Sequence, residues 1–150
     1  MSQFDVRKID CLIGKTLYSC EAINDGDSDC LVMKTEEATT IKFLHHQDCC
    51  ETVCIESIDG DLNDLIGSPI LVAEECSGSA ENVDIWGVKA SIKAAESHTW
   101  TFYRFATIKG WVVVRWLGTS NGYYSESVDI DEEETPTDEF REHKLNKIGI

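Results

Sequence analysis

The chain has 150 residues, 42% of them hydrophobic, and 28 acidic against 13 basic side chains give a formal charge of −15. This length suffices for one domain that buries roughly two thirds of its unfolded surface, and it leaves no room for a second domain of ordinary size. The charge repels nucleic acid and anionic membranes, so neither is an expected partner. Without an apolar stretch that fits a secretory signal or a bilayer span, the sequence predicts a cytoplasmic protein.

The first half of the chain has the pattern of short strands joined by turns. Leu17 to Ile23 and Cys30 to Met33 are apolar runs on either side of a turn rich in Asn, Asp and Gly, which is typical of a hairpin. Further strands are predicted at 39–44, 52–58 and 70–73. Residues 62–66 form at most one helical turn, because Gly67 and Ser68-Pro69 follow at once.

The second half contains the clearest β pattern. Trp100 to Ala106 and Trp111 to Leu117 are aromatic and β-branched runs around Lys109-Gly110, and they predict a hairpin. Asn121-Gly122 is a strong signal for a second hairpin turn into residues 123–130. The sequence therefore predicts a three-stranded meander.

The predicted fold class is α+β and β-rich, with a mainly antiparallel sheet or small barrel of six to eight strands and one or two short helices. We expect a single domain over residues 1–130 and an acidic tail over 131–150, either disordered or with a short helix from Pro136 to about Lys147. Residues 77–98 lack a clear period and are interpreted as a surface excursion, in which 88–95 could be helical.

Charge is unevenly distributed along the chain. Residues 43–88 contain ten acidic side chains and no Lys or Arg, whereas residues 89–125 contain five bases and only Glu96 as an acid. The pattern indicates an acidic body with one basic, aromatic segment. Such a body suits an acidic face that is presented to a basic partner.

The basic segment supports a candidate ligand site. Alternation along the predicted hairpin places Trp100, Arg104, Trp111 and Arg115 on one face, with Arg104 roughly opposite Arg115. Opposed like charges are unfavourable unless an anion separates them, so this face is a candidate platform for a nucleotide-like anion. In the alternative, the arginines lie over aromatic rings and Glu126 neutralises Arg115. The candidate set also includes the polar and aromatic residues Gln47, Asp48, Asn121, Tyr123 and Tyr124.

A second constellation lies in the string HHQDCCE at residues 45–51. Imidazole and thiolate ligands from His45, His46, Cys49 and Cys50 suit zinc, but the spacing differs from that of structural zinc sites. A nucleophilic thiol with a histidine base and Asp48 as its orienting group is an alternative, and a polar loop without metal is another. On an extended chain only one of each adjacent pair can face a given site. The odd cysteine count favours reduced thiols.

Three strings together carry a family resemblance, namely HHQDCCE, GDLNDLIGSPI and TFYRFATIKGWVVVRWLGTSNGYYSE. Over about residues 12–130 the chain resembles small proteins of unknown function encoded by bacteriophages and their bacterial hosts. The resemblance implies a phage origin and supplies no activity. By analogy with small acidic phage proteins, it favours a binding protein that blunts a host defence.

These patterns lead to three hypotheses. The preferred one is a non-catalytic binding protein whose acidic surface engages a basic host protein in the host cytoplasm, without a cofactor. The second is a binder of a small nucleotide-like anion on the arginine-bearing face. The third is an enzyme that depends on zinc or on a thiol of the His/Cys string. The oligomeric state is not predicted.

Overall fold

The computed structural model describes residues 9–24, 28–78, 82–85, 88–91 and 97–149. Within these residues, eight strands form two four-stranded antiparallel sheets, two more form a separate hairpin, and a helix follows the last strand. The elements are β1 (Leu17–Asn24), β2 (Asp29–Thr35), β3 (Thr39–Leu44), β4 (Thr52–Asp59), a 3-10 turn (Leu62–Leu65), β5 (Val72–Gly78), β6 (Asn82–Ile85), β7 (Val88–Ser91), β8 (Ser97–Thr107), β9 (Gly110–Ser120), β10 (Asp129–Glu134) and α1 (Thr137–Lys147). The predicted β-rich α+β class is confirmed.

The two sheets share one hydrophobic core. Sheet I has the order β1-β2-β3-β10, and sheet II has the order β4-β9-β8-β5. Phe43 of sheet I packs edge-on against Tyr103 and Phe105 of sheet II, with ring centroids 5.0 and 5.7 Å apart. Because side chains alternate along each strand, every second residue of β8 and β9 enters this core. Its fully buried members include Leu31, Met33, Ile41, Phe43, Tyr103, Phe105, Val112, Val114 and Trp116.

The predicted hairpins of 17–33 and 100–117 are confirmed, but the three-stranded meander is wrong. After β9 the chain makes bends and coil through residue 128, and β10 then pairs with β3 of sheet I rather than with β9. A Cβ atom at Gly118 would collide with the carbonyl oxygen of Glu126, so the returning chain crosses directly over the end of β9. Asn121-Gly122 therefore turns the chain toward the other sheet.

Two further expectations need correction. Residues 88–91 are strand β7, so the helix considered for 88–95 is wrong over that part, and 92–96 lie outside the described residues. The acidic run 131–134, expected in the tail, is the greater part of β10. The helix expected from Pro136 to about Lys147 is present as α1.

No helix in the described part of the chain combines the length and apolar character that crossing a bilayer requires.

Candidate functional site

His45 and Glu51 form a buried pair at the loop between β3 and β4. The imidazole Nε2 lies 2.7 Å from a Glu51 carboxylate oxygen, and Nδ1 lies 2.7 Å from the carbonyl oxygen of Ser127. The two side chains are 4% and 0% exposed. A carbonyl oxygen can only accept, so Nδ1 donates to Ser127, and an ionised Glu51 then accepts from Nε2. The arrangement is that of an imidazolium paired with a carboxylate.

Glu51 also fixes the backbone of its own loop. Its carboxylate accepts hydrogen bonds from the backbone N–H groups of Asp48 and Cys49, both at 2.8 Å. Burial raises the pKa of Glu51, but the bonds from His45 and these N–H groups outweigh burial and lower it to about 2. One carboxylate therefore holds both ends of the loop at residues 45–51, which we call the carboxylate loop.

The remaining polar groups of the carboxylate loop are also partnered. The Gln47 amide donates to the carbonyl oxygens of Cys49 (3.2 Å) and Glu51 (2.5 Å). His46 points away from His45, with its Nε2 3.1 Å from the carboxylate of Asp131. The adjacent histidines thus face opposite sides, as the sequence predicts for an extended chain.

The cysteines of this loop differ from the expectation. Cys49 and Cys50 are joined by a disulfide, so not all seven thiols are free, and the two adjacent side chains do meet. The chain bends at these residues, and the rule for an extended strand does not apply there. In the described part of the chain no group of three His, Cys, Asp or Glu side chains is arranged to hold a metal ion.

A second loop, residues 120–127, is fixed by another buried carboxylate. Glu126 accepts hydrogen bonds from the hydroxyls of Ser120 (2.5 Å) and Thr99 (2.7 Å). Burial raises the pKa of Glu126, but these hydroxyl bonds outweigh burial and hold it below its usual range. The expected pairing of Glu126 with Arg115 is wrong, because Glu126 bonds Ser120 and Thr99 on the core-side face of sheet II and Arg115 lies on the opposite face. We call residues 120–127 the tyrosine loop.

The carboxylate loop and the tyrosine loop lie side by side. His45 joins them by its bond to Ser127, and the strands that follow and precede them, β4 and β9, are paired at Thr52 and Thr119. Tyr123 is 83% exposed and packs edge-on against Tyr124, with centroids 4.9 Å apart. Asn121 accepts the N–H of Tyr123 and shapes the turn. Of the candidate site residues, Gln47 and Asp48 lie in the carboxylate loop, and Asn121, Tyr123 and Tyr124 lie in the neighbouring tyrosine loop.

The arginines lie elsewhere, on the face of sheet II that points away from the core. Arg104 is opposite Val113 and Arg115 is opposite Phe102, so the expected juxtaposition of the two arginines is wrong. The reason is register: the turn at residues 108–109 pairs Thr107 with Gly110, which shifts the arginines two positions apart on the same face.

Both guanidinium groups have local partners. Arg104 donates to Glu74 at 2.7 Å and lies 5.1 Å from the ring centroid of Trp111. Arg115 lies 5.8 Å from the ring centroid of Trp100. These contacts correspond to the alternative of arginines over rings. Trp111 is ten residues from Asn121, or about 33 Å along a strand, so the candidate ligand set does not form one site.

The two structural carboxylates are the residues that sequence reasoning missed in these roles. The sequence suggests Glu51 only as part of the His/Cys string and Glu126 only as a partner for Arg115. A usable signal was present, because each glutamate lies in a string of hydroxyl, amide and imidazole groups at a strand end. For Glu126, burial depends on the close approach of the tyrosine loop to Gly118, which no local sequence pattern reveals.

An acidic strand edge continues from the carboxylate loop. Strand β10 is at the edge of sheet I, and its residues Glu132, Glu133 and Glu134 are exposed. His46 connects the two through its backbone N–H to Asp129 at 2.9 Å and its ring to Asp131. The loops and the edge thus form one continuous surface.

Comparison with known sequences identifies a family without a described activity. Residues 10–130 match the domain of unknown function DUF7448, and the chain belongs to this family. No curated protein and no solved structure shows significant similarity to the chain. Both loops lie inside the matching region, whereas α1 lies outside it.

Proposed function

We propose that the chain is a non-catalytic binding protein, encoded by a bacteriophage, whose acidic surface engages a basic protein of the bacterial host and thereby blunts a host defence. The resemblance of the strings HHQDCCE and TSNGYYSE to phage proteins supports the origin. The proposed contact surface consists of the carboxylate loop, the tyrosine loop and the exposed acids of β10. We call it the acidic loop face.

The observation that carries the proposal is that the buried polar residues of the two loops have a structural role. His45, Glu51 and Glu126 are buried, and their hydrogen bonds hold the loops in place. A catalytic base or nucleophile needs access to a substrate, which burial of these groups prevents. Rigid loops that expose tyrosine and carboxylate are instead typical of protein recognition, because little conformational entropy is lost on binding.

Charge supports a basic partner. Exposed Asp48 and the β10 glutamates lie on the acidic loop face, and the whole chain carries −15. A charge of this size accelerates encounter with a cationic surface and makes the association sensitive to salt. The small-anion alternative has weaker support, since Glu74 already pairs with Arg104.

The test is an affinity capture from bacterial lysate with the whole protein and two charge-matched variants. The face variant replaces Glu132, Glu133 and Glu134 by Gln. The control variant replaces Glu56 by Gln and both Asp59 and Asp61 by Asn, which removes the same charge from β4 and the turn after it.

We expect a basic protein to be retained at low salt, released as salt rises, and lost with the face variant but not with the control. The captured protein should then bind the purified chain directly in calorimetry. Capture that is equal for both variants, or nothing above background at low salt, would overturn the proposal.

A further inference from the structure

The seven cysteines, all in described residues, fall into two chemical groups. Five are not part of a disulfide, and burial raises the pKa of Cys20 to about 12 and of Cys11 to about 11, while the pKa of Cys54 is raised for the same reason. Buried thiols of this kind are poor nucleophiles. Cys49 and Cys50 are bonded to each other and are both exposed.

The exposed pair sits on a backbone that other groups hold in place. The Glu51 carboxylate receives the N–H groups of Asp48 and Cys49, and the Gln47 amide reaches the carbonyl oxygens of Cys49 and Glu51. None of these four hydrogen bonds depends on the sulfur–sulfur bond. Opening the disulfide would therefore leave two thiols side by side on a bend that is already formed.

We propose that Cys49 and Cys50 form a thiol–disulfide exchange site, which alternates between a vicinal disulfide and a dithiol while the carboxylate loop keeps its fold. Its reaction partner is a dithiol–disulfide couple, either a small molecule or a protein with two neighbouring cysteines, whose dithiol reduces the pair and whose disulfide re-forms it by the reverse exchange. This inference is independent of the proposed partner binding, although the pair lies on the acidic loop face.

The exchange has two balanced steps. A thiolate of the reductant attacks one sulfur of the Cys49–Cys50 bond, which forms a mixed disulfide and releases the other cysteine as a thiolate that takes up a proton. The second thiol of the reductant loses its proton and attacks the mixed disulfide, which frees the second cysteine. The pair gains two electrons and two protons, and the reductant leaves as its own disulfide.

The arrangement favours this site over any other cysteine pair in the chain. Exchange requires an exposed sulfur and a second thiol held within bonding distance, and Cys49 and Cys50 meet both conditions. A reactive disulfide in a protein that works in a reducing compartment is typically transient or redox-sensing.

The test is differential alkylation of the folded protein in glutathione buffers of stepped redox potential, followed by peptide mass analysis. In the oxidising buffers we expect Cys49 and Cys50 to be protected from alkylation and linked to each other. After dithiothreitol both should be alkylated, and return of a reduced sample to the oxidising buffer, where glutathione disulfide is the oxidant, should restore protection. Cys76→Ser is the matched control and should leave the Cys49–Cys50 transition unchanged.

Two further measurements make the proposal falsifiable even where a variant folds poorly. The near-ultraviolet circular dichroism of the wild-type protein should be nearly the same in both redox states, since the loop stays folded. In Glu51→Gln the disulfide should re-form severalfold more slowly, because the bend is less well held. Full alkylation of both cysteines in oxidising buffer would overturn the proposal, as would glutathione adducts or intermolecular disulfides in place of the internal bond, or collapse of the near-ultraviolet signal on reduction.

Discussion

The two loops and helix α1 are all attached to the sheets by polar contacts, but in opposite ways. The loops are held by Glu51 and Glu126, whose carboxylates are buried and receive several short hydrogen bonds. None of the eleven described residues of α1 is buried. The helix is held by ion pairs of Glu36 with His143 (2.7 Å) and Lys147 (3.2 Å), by an ion pair of Lys34 with Glu139, and by stacking of His143 on Tyr18.

This difference shows how burial changes the strength of the same type of contact. Water competes weakly for a buried carboxylate, and removal of its partner leaves a charge without compensation. The ion pairs of Glu36 with α1 are half-buried or exposed, so water and salt still screen them and each contributes about 1 kcal/mol or less. We therefore expect the loops to be rigid parts of the fold and α1 to be an attachment that can be released, which agrees with the end of the family match at residue 130.

The largest expected effect comes from His45→Ala. The change removes the partner of a buried carboxylate and the bond that joins the two loops, so the free energy of unfolding should fall by about 3 kcal/mol. Urea denaturation measures it. His46→Ala is the matched control, because His46 is exposed and its ion pair with Asp131 should contribute less than about 1 kcal/mol. Equal effects of the two histidine variants would remove the distinction between buried and exposed contacts.

Acid should lower the contribution of the carboxylate loop to the free energy of unfolding. The pKa of Glu51 is lowered from 4.5 to about 2, so the unfolded state binds more protons between these values. Its stabilising contribution is complete above about pH 4.5 and is lost as the pH falls toward 2. Urea midpoints from pH 7 to 3 should decline, and the decline should be shallower in Glu51→Gln.

His46, on the exposed side of the same loop, changes the free energy of unfolding with pH in the opposite direction. A hydrogen bond to Asp131 raises the pKa of His46 from 6.5, so its contribution is complete below that value and is lost as the pH rises through the raised pKa. For the acid prediction above, urea midpoints that fall equally from pH 7 to 3 in the wild type and in Glu51→Gln would contradict the role given to Glu51.

Glu126→Gln should have a smaller effect. The amide can still accept one hydroxyl bond but loses the charge that strengthens both, and we expect a loss of about 1 to 2 kcal/mol. Thermal unfolding measures this loss. Glu21→Gln, which changes an exposed acid on β1, is the control. The variant should also speed hydrogen exchange in residues 120–127. Unchanged exchange there would show that Gly118 and packing, rather than the carboxylate, hold the tyrosine loop.

The smallest effect on stability is expected for Glu36→Gln. The two ion pairs that Glu36 makes with α1 are lost, while that of Lys34 with Glu139 remains, and the free energy of unfolding should change by less than about 1 kcal/mol. Trypsin should nevertheless cut faster at Arg141 and Lys144 of α1, and high salt should produce the same result in the wild type. Glu37→Gln, which breaks the exposed pair with Lys15, is the control. Slow cleavage in Glu36→Gln would indicate that the ion pair of Lys34 with Glu139 and the stacking on Tyr18 are enough to hold α1.

Much of the fold followed from local pattern. Alternating apolar residues predicted β1, β2, β3, β4, β8 and β9, and the Gly and Pro residues placed the turn after 62–66. The place of the last strand did not follow, because Asn121-Gly122 permits a hairpin but does not choose the partner strand. That choice depends on pairing with β3, which lies so far from β10 in the sequence that no short window contains both strands.

The candidate sites, like the fold, were predictable only in the features that depend on local sequence. The sequence by itself determined the alternating faces of β8 and β9, the acidic surplus and the two polar strings, because these depend on residue type and on a period of two along a strand. Only the tertiary structure decided which glutamates are buried, that the two strings share one end of the molecule, and that Arg104 pairs with Glu74. Burial and partner choice depend on how distant segments pack, and a charged side chain has a different energy in water from the one it has beside a fixed donor.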